Sequence, residues 1–463
     1  MQAGAVVLAA IAILFAVKRF SGSPSAASAA TIASLPIPGD AARDTRSGTA
    51  AIAATTTSPA AASPASDATV AAPPASTGPI LISTALEWQA PMRNYPRPDT
   101  FSYQGNAMEA DYAPDSLLNA RINVYLQRYR PETGVIMIAD LRSGHVLGIG
   151  ERQDSLITAT PKLAYGAGGF PAASLIKILT ATAALESKAH ELTDSIPQLG
   201  GYHTLYKRQL KTEGQHRLPK ITLEEAFSRS VNPAFGMLGL SMGPGTLRNT
   251  ALRMGFNQSG LPACVAKSRI EFPDSGFSLA ETACGFTTKT TISPWHALQI
   301  ARGVGDDGRL RPCSFPKTIL NLATGKRMPP APDTGSQFIS PENLSTLQGY
   351  MQATVRVGTA RKGFHSVLKA SHLDKLEAGG KTGSLDGEET RGRFDWFVGY
   401  VKLKDEPSQG IAISIMLVHR EYSSIHASQL AALLIRDWLI AHEKAAKAKA
   451  LKLREAEVAY RDA

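Results

Sequence analysis

The chain has 463 residues, 43% of them hydrophobic, and a formal net charge of +10, which is enough apolar material for one large core or two modest ones. A basic surface suits an anionic partner such as nucleic acid, acidic lipid or an acidic wall polymer; without zinc-type Cys/His spacing, an arginine-rich recognition run or a phosphate-cradling glycine loop, nucleic acid is disfavoured and no metal or other cofactor is expected. Three cysteines, Cys264, Cys284 and Cys313, are too few for a disulfide scaffold.

Residues 1–20 hold an uncharged, mostly apolar run, Ala3 to Val17, followed by Lys18 and Arg19. It is short beside the roughly 17–25 residues of a spanning helix, and fits either a signal-peptide core or a minimal membrane anchor. Ala27-Ser28-Ala29 offers a cleavage site. Export is expected on either reading. Residues 21–79 are dominated by Ala, Ser, Thr and Pro; they cannot bury enough apolar surface to offset ordering entropy and should be a disordered tether. A flexible stretch of that length reaches roughly 40 Å.

After a lead-in over residues 80–111, Ser116 to Tyr129 has helical spacing (Leu117, Leu118, Ile122, Leu126). Gly134–Asp140 and His145–Gly150 flank the turn-prone Leu141-Arg-Ser-Gly144 and predict a β-hairpin. A helix-rich middle runs from about Ala172 to Val304. Three strand-like runs follow, Glu377–Ser384, Phe394–Lys402 and Gly410–Val418, then an amphipathic helix from about Ser423 to His442. Residues 443–463 read as a charged helical tail. Strands from both chain ends around a helical middle predict an α+β domain over 112–442, its antiparallel sheet built from both ends with helices on both faces.

Three short motifs occur in order: Ser174-Leu-Ile-Lys177 opening a helix, Ser230-Val-Asn232 between helical segments, and Lys381-Thr-Gly383 on a strand after Gly379-Gly380. Each has a bland counterpart when taken alone. Ser174 and Lys177 fit an exposed helix start, Ser230 and Asn232 a capping pair at a helix break, and Lys381 a turn lysine. In order, on helix, loop and strand, they make a nucleophile site.

The chemistry needs these residue types. Ser174 and Lys177 at i and i+3 point the same way. Lys177 can take the serine proton only if neutral, and enclosure plus a second cation, Lys381, would lower its pKa. The N–H groups at the helix start, with that of Ser384, suit a tetrahedral oxyanion. Ser230 is placed to pass a proton to a leaving amine and Asn232 to bind a substrate amide. Lys381 and Thr382 suit a peptide's terminal carboxylate. The paired glycines are expected to leave room for substrate along the strand edge.

Carrying this trio, the chain resembles the transpeptidase domain of penicillin-binding proteins from about Tyr112 to Leu439. Further likenesses are Ile136–Asp140 with Ser143-Gly144, Ile292-Ser-Pro-Trp-His-Ala-Leu-Gln-Ile-Ala301, Gly358-Thr-Ala360 and Asp395-Trp-Phe-Val-Gly-Tyr400. Departures are Ala172-Ala173 where the family usually has glycine, Ile178 in place of a frequent proline, and Cys284 near the site. The resemblance implies the penicillin-binding transpeptidase fold and a peptidoglycan D,D-transpeptidase. That enzyme would cross-link stem peptides through a Ser174 acyl-enzyme formed from D-Ala-D-Ala, with Lys177, Ser230, Asn232 and Lys381 catalytic and Thr382, Gly383 and Ser384 binding substrate. β-Lactams would be covalent inhibitors and a separate polymerase would make the glycan. The location implied is the bacterial cell envelope, membrane-anchored, with the catalytic domain in the periplasm.

A D,D-carboxypeptidase differs only in giving the acyl group to water. A class A β-lactamase needs a water-activating glutamate, and the nearest, Glu271 and Glu281, lack the surrounding pattern; a class D enzyme has an apolar residue where Asn232 stands. A penicillin-binding sensor or scaffold should carry several spanning helices, a metalloprotease motif or a lost catalytic residue, and none of these features is found.

Overall fold

The computed structural model describes residues 97–461 apart from 104, 113, 154–168, 188–194, 212–216, 259–266, 329–334, 388–391 and 421–422. The N-terminal apolar segment, the linker, the first part of the lead-in and Cys264 lie outside the described residues. Among those described, no helix is long and apolar enough to cross a membrane.

A five-stranded antiparallel sheet organises the rest. Its strands are β1 (Thr133–Asp140), β2 (Val146–Gln153), β3 (Leu376–Asp386), β4 (Arg393–Leu403) and β5 (Gly410–His419), in the spatial order β3-β4-β5-β1-β2. Both chain ends therefore contribute, as expected. The predicted hairpin is β1–β2, and its turn needs a glycine. Gly144 has φ +76°, and a Cβ there would meet the Arg302 guanidinium at 2.6 Å. Arg302 is fully buried and donates to the carbonyls of Leu141, Arg142 and Pro312 at 3.1, 2.6 and 2.7 Å, so its charge is solvated by backbone.

The inner strands are apolar on both sides because both sides are covered. Val135, Met137 and Ala139 point into one core with Trp396, Val398 and Tyr400. Ile136 and Ile138 point into the other with Phe397, Ile413 and Ile415. The second core is closed by helix α1 (Ser116–Tyr129), through Leu118, Ile122 and Leu126, and by a long C-terminal helix. The first face carries the helices that build the site: α2 (Ile176–Glu186), α3 (Leu223–Ser228), α4 (Asn232–Arg253), α5 (Gly276–Cys284), α6 (Pro294–Gly305) and α7 (Pro341–Arg356). Helix α6 is buried along its whole length. Its start is fixed by Ser293 Oγ, which accepts the His296 N–H at 3.1 Å, and by Pro294 in the first turn.

Two features differ from the expectation. The C-terminal helix, α8 (Ala427–Arg461), begins later than Ser423, and the tail is helical as expected but continuous with it. Asp395 Oδ2 caps its start by accepting the Ala427 N–H at 3.1 Å, and the Ala/Lys/Glu-rich continuation has high helix propensity and no breaker. The lead-in also contains two strands, Asp99–Tyr103 and Asn106–Tyr112. They pair with each other and then with Pro316–Asn321, forming a second sheet whose core is Met108 and Ile319.

Candidate active site

Ser174 sits in a one-turn 3-10 segment, Ala173–Leu175, that runs directly into α2. The residue before it is strained: Ala173 has φ +49°, a left-handed conformation that costs a non-glycine residue of order 1 kcal/mol. Three contacts hold it there. Ala172 N–H donates to Thr290 C=O at 2.9 Å, Trp396 Nε1 donates to Pro171 C=O at 3.0 Å, and Gly285 lies so close that a Cβ would sit 1.9 Å from the Ala173 carbonyl oxygen. Ala173 thus occupies the backbone state that glycine would otherwise supply.

Lys177 is fully buried one helical turn on. Its Nζ donates to Ser174 Oγ at 2.8 Å, to Asn232 Oδ1 at 2.7 Å and to the Cys284 carbonyl at 2.7 Å. Burial pulls its pKa down from 10.5 to about 8. Asn232 is itself immobilised: its N–H donates to Tyr202 C=O at 2.7 Å and its Nδ2 to His203 C=O at 3.0 Å, which aims Oδ1 at the lysine. The Cys284 thiol is buried and, chiefly for that reason, pushed up to about 11, so it stays protonated and unreactive at neutral pH.

Across the cleft, Lys381 is also fully buried, on β3. Its Nζ donates to Ser230 Oγ at 3.0 Å and to the Thr382 carbonyl at 2.8 Å. Its pKa lies well below the usual lysine value, first from burial and then from the Lys177 charge. Of the two causes expected for Lys177, burial accounts for its shift, and two buried cations so placed disfavour being charged together. Each ammonium also lies over an aromatic ring, Lys177 5.7 Å from Phe235 and Lys381 5.6 Å from Phe227, so both stand on an apolar floor.

Ser230 occupies the tight turn between α3 and α4 with φ +58°. Its N–H donates to Phe227 C=O at 3.0 Å. The loop Gly358-Thr-Ala360 packs beneath that turn: Thr359 N–H donates to Ser228 C=O at 3.0 Å, and a Cβ on Gly358 would lie 2.2 Å from the same oxygen. Thr359 Oγ1 then shares a 2.5 Å hydrogen bond with Thr382 Oγ1, tying the loop to the strand. Gly383 lies against the nucleophile turn, its ideal Cβ position 3.4 Å from Ala172 O and Ala173 Cβ. Ser384 is exposed and its Oγ accepts from Arg393 Nε at 2.9 Å.

The structure therefore brings Ser174, Lys177 and Asn232 together through one amine, and Ser230, Lys381 and Thr382 through another. The paired glycines have a different cause from the one expected. A Cβ on Gly380 would strike the Phe397 ring at 2.4 Å and one on Gly379 the Tyr400 ring at 2.9 Å, so both make room for β4 and not for a ligand. Missing from the sequence reading were the Cys284 carbonyl, Arg393 and His203; Thr359 stood in it only as part of the Gly358-Thr-Ala360 likeness, without its contact to Thr382. The His203 pKa is lowered by partial burial first and then by Lys177, Lys381 and Arg393, against a hydrogen bond to the Ser230 backbone. Among the described residues no cluster of His, Cys, Asp and Glu is placed to hold a metal ion.

A family profile described as the penicillin binding protein transpeptidase domain matches residues 134–435. The chain is 29% identical over 180 residues to penicillin-binding protein 1A of Neisseria cinerea, covering 39% of this chain and 19% of that one. It is 24% identical over 256 residues to the peptidoglycan D,D-transpeptidase PbpA of Mycolicibacterium smegmatis, covering 53% of this chain and 50% of that one. These matches span half or less of either relative. Among solved structures, penicillin-binding protein 3 of Mycobacterium tuberculosis in complex with aztreonam superposes with a TM-score of 0.55 at 18% identity, covering 71% of this chain and 77% of that one. The apo transpeptidase domain of penicillin-binding protein 3 from Burkholderia pseudomallei gives 0.54 at 18% identity, covering 74% and 97%. At such identity the likeness is one of fold.

Proposed function

This chain belongs to the penicillin-binding protein transpeptidase family, and from that premise we propose that it is a peptidoglycan D,D-transpeptidase working through a Ser174 acyl-enzyme. The observation that carries the reading is the 2.8 Å contact from Lys177 Nζ to Ser174 Oγ by an amine whose pKa is about 8.

The neutral amine takes the hydroxyl proton as Ser174 Oγ attacks the carbonyl of the penultimate D-alanine. The Ser174 and Ser384 N–H groups hold the developing oxyanion. Ser230, backed by Lys381 Nζ at 3.0 Å, gives a proton to the departing D-alanine amine. Asn232 positions the donor backbone, and Thr382 with Lys381 receives the terminal carboxylate while the peptide lies along the edge of β3, a strand with one open side. An acceptor amine then attacks the acyl-enzyme and completes the cross-link. Penicillin would enter the same path and remain on Ser174.

In this reading residues 112–442 are the catalytic module, 443–463 a helical tail, 21–79 a tether and 1–20 an anchor or signal segment. That arrangement would place the enzyme in the bacterial envelope beside a separate glycan polymerase. Incubation with a pentapeptide donor and a free-amine acceptor tests the reading. A cross-linked dimer that disappears in Ser174→Ala supports the transpeptidase, and tetrapeptide with D-alanine but no dimer supports a carboxypeptidase.

A further inference from the structure

Helix α8 outruns the domain it belongs to. Trp438 and Leu439 are its last buried residues, and from Lys444 to Val458 every residue is exposed. That stretch spans roughly 20 Å, and a helix of such length is marginal in water without a packing partner. It departs where β3 begins: Lys375 Nζ donates to Glu443 Oε1 at 2.5 Å, a point roughly 20 Å along that strand from Lys381. Whatever covers the projecting helix therefore need not cover the Ser174 cleft.

Two properties of the projecting surface select its occupant. Lys444, Lys447, Lys449, Lys452 and Arg454 form a run with no aspartate or glutamate between them, and none has an ion-pair partner among the described residues. Among those residues the four most exposed large apolar side chains are also here: Leu451, Leu453 and Val458 at 57–58% and Tyr460 at 87%. Leu453 and Tyr460 prolong the side of α8 that packs on the domain, since steps of three, four and seven residues reach them from Leu439 through His442 and Ala446. A soluble polyanion would answer the cations and leave Leu453 and Tyr460 in water. A second copy in parallel would set lysine against lysine, and an antiparallel one would offer only Glu455 and Glu457 to the cationic run. The boundary of an anionic bilayer answers both properties. Phosphates meet the ammonium groups, their aliphatic stems and the leucines lie against the acyl chains, and Tyr460 sits at headgroup depth.

We propose that residues 444–460 of α8 are a docking helix for an anionic phospholipid surface, distinct from any contact made by residues 1–20 and not dependent on the acyl-transfer reading. On such a surface each cation strengthens binding about fivefold, and the attraction falls with added salt. The bound helix gains the partner that its exposed turns lack.

Hydrogen exchange of the 463-residue chain, read on peptides covering 444–460, tests this with vesicles of phosphatidylcholine alone or mixed with phosphatidylglycerol. The amides of 444–460 should exchange at least about tenfold more slowly on the anionic vesicles, keep their free rate on the neutral ones, and recover it at high salt. Because the readout is local, attachment through residues 1–20 leaves it unmoved. Replacing four exposed lysines together (K444E, K447E, K449E and K452E) should abolish the protection, and Leu453→Ser with Tyr460→Ser should remove most of it. Equal protection on both vesicles, none on the anionic ones, or full protection retained by either variant overturns the proposal. Protection by soluble polyglutamate, or by raised protein concentration without lipid, overturns it as well, in favour of a polyanion or a second copy.

Discussion

Between pH 6 and pH 10 the rate at which penicillin acylates Ser174 should follow the neutral fraction of the Lys177 amine. With a pKa of about 8, that fraction is about 1% at pH 6, about 9% at pH 7, about 50% at pH 8 and about 90% at pH 9. The second-order acylation constant should therefore climb roughly tenfold from pH 7 to pH 9 and then level off. Rapid-mixing measurements with a fluorescent penicillin give this profile directly. A rate still rising in proportion to hydroxide at pH 9.5 would mean a lysine of ordinary pKa, and a flat profile would mean that Lys177 is not the base. The same shift carries a stability signature. The folded pKa lies below the unfolded value of 10.5, so the unfolded chain binds more protons between pH 8 and 10.5 and stability rises with pH across that window. The rise amounts to about 3 kcal/mol for a shift of this size, and Lys177→Met should remove that increment in denaturant titrations.

Other substitutions test the packing logic. Gly380→Ala should destabilise the fold by about 1–3 kcal/mol by driving a methyl into the Phe397 ring; an unchanged unfolding midpoint would return the glycine to a substrate-clearance role. Ala173→Gly should raise stability by about 1 kcal/mol by relieving the left-handed alanine, and a lower midpoint would show that the turn is not strained. His296 is buried with Nε2 2.6 Å from Met254 O, and burial lowers its pKa to about 4. Its unfolded form takes up a proton that the folded form refuses, so stability present above pH 6.5 is lost as pH falls toward 4, by about 3 kcal/mol. His296→Gln should flatten the acid limb of a stability profile; an identical slope would place the acid sensitivity elsewhere.

The middle of the sheet was legible because β1 and β5 are nearly continuous apolar runs buried on both faces, whereas the edge strand β3 carries Lys381, Thr382 and Ser384 and was legible through its motif. The three motifs were legible because their chemistry demands particular side chains. The second sheet was harder. Met108, Ala110 and Tyr112 do alternate as buried residues, but their partner strand is Pro316–Asn321, far along the chain, and a two-strand lead-in is a weak signal alone. The Cys284 carbonyl could not have been found, because any residue presents one and only the fold aims it at Lys177. The same holds for the left-handed turns at Ala173 and Ser230, where the residue types give no cue and the surrounding contacts impose the conformation. Gly379 and Gly380 accommodate rings of Tyr400 and Phe397 on the neighbouring strand, a cause that no local sequence pattern reveals.

Ser174 as the acylated nucleophile is tested by incubating the chain with penicillin, followed by intact mass and peptide mapping over hours. A single long-lived adduct is expected on the peptide containing Ser174, absent in Ser174→Ala. An adduct on another residue, an adduct lost within seconds, or none at all would contradict that role.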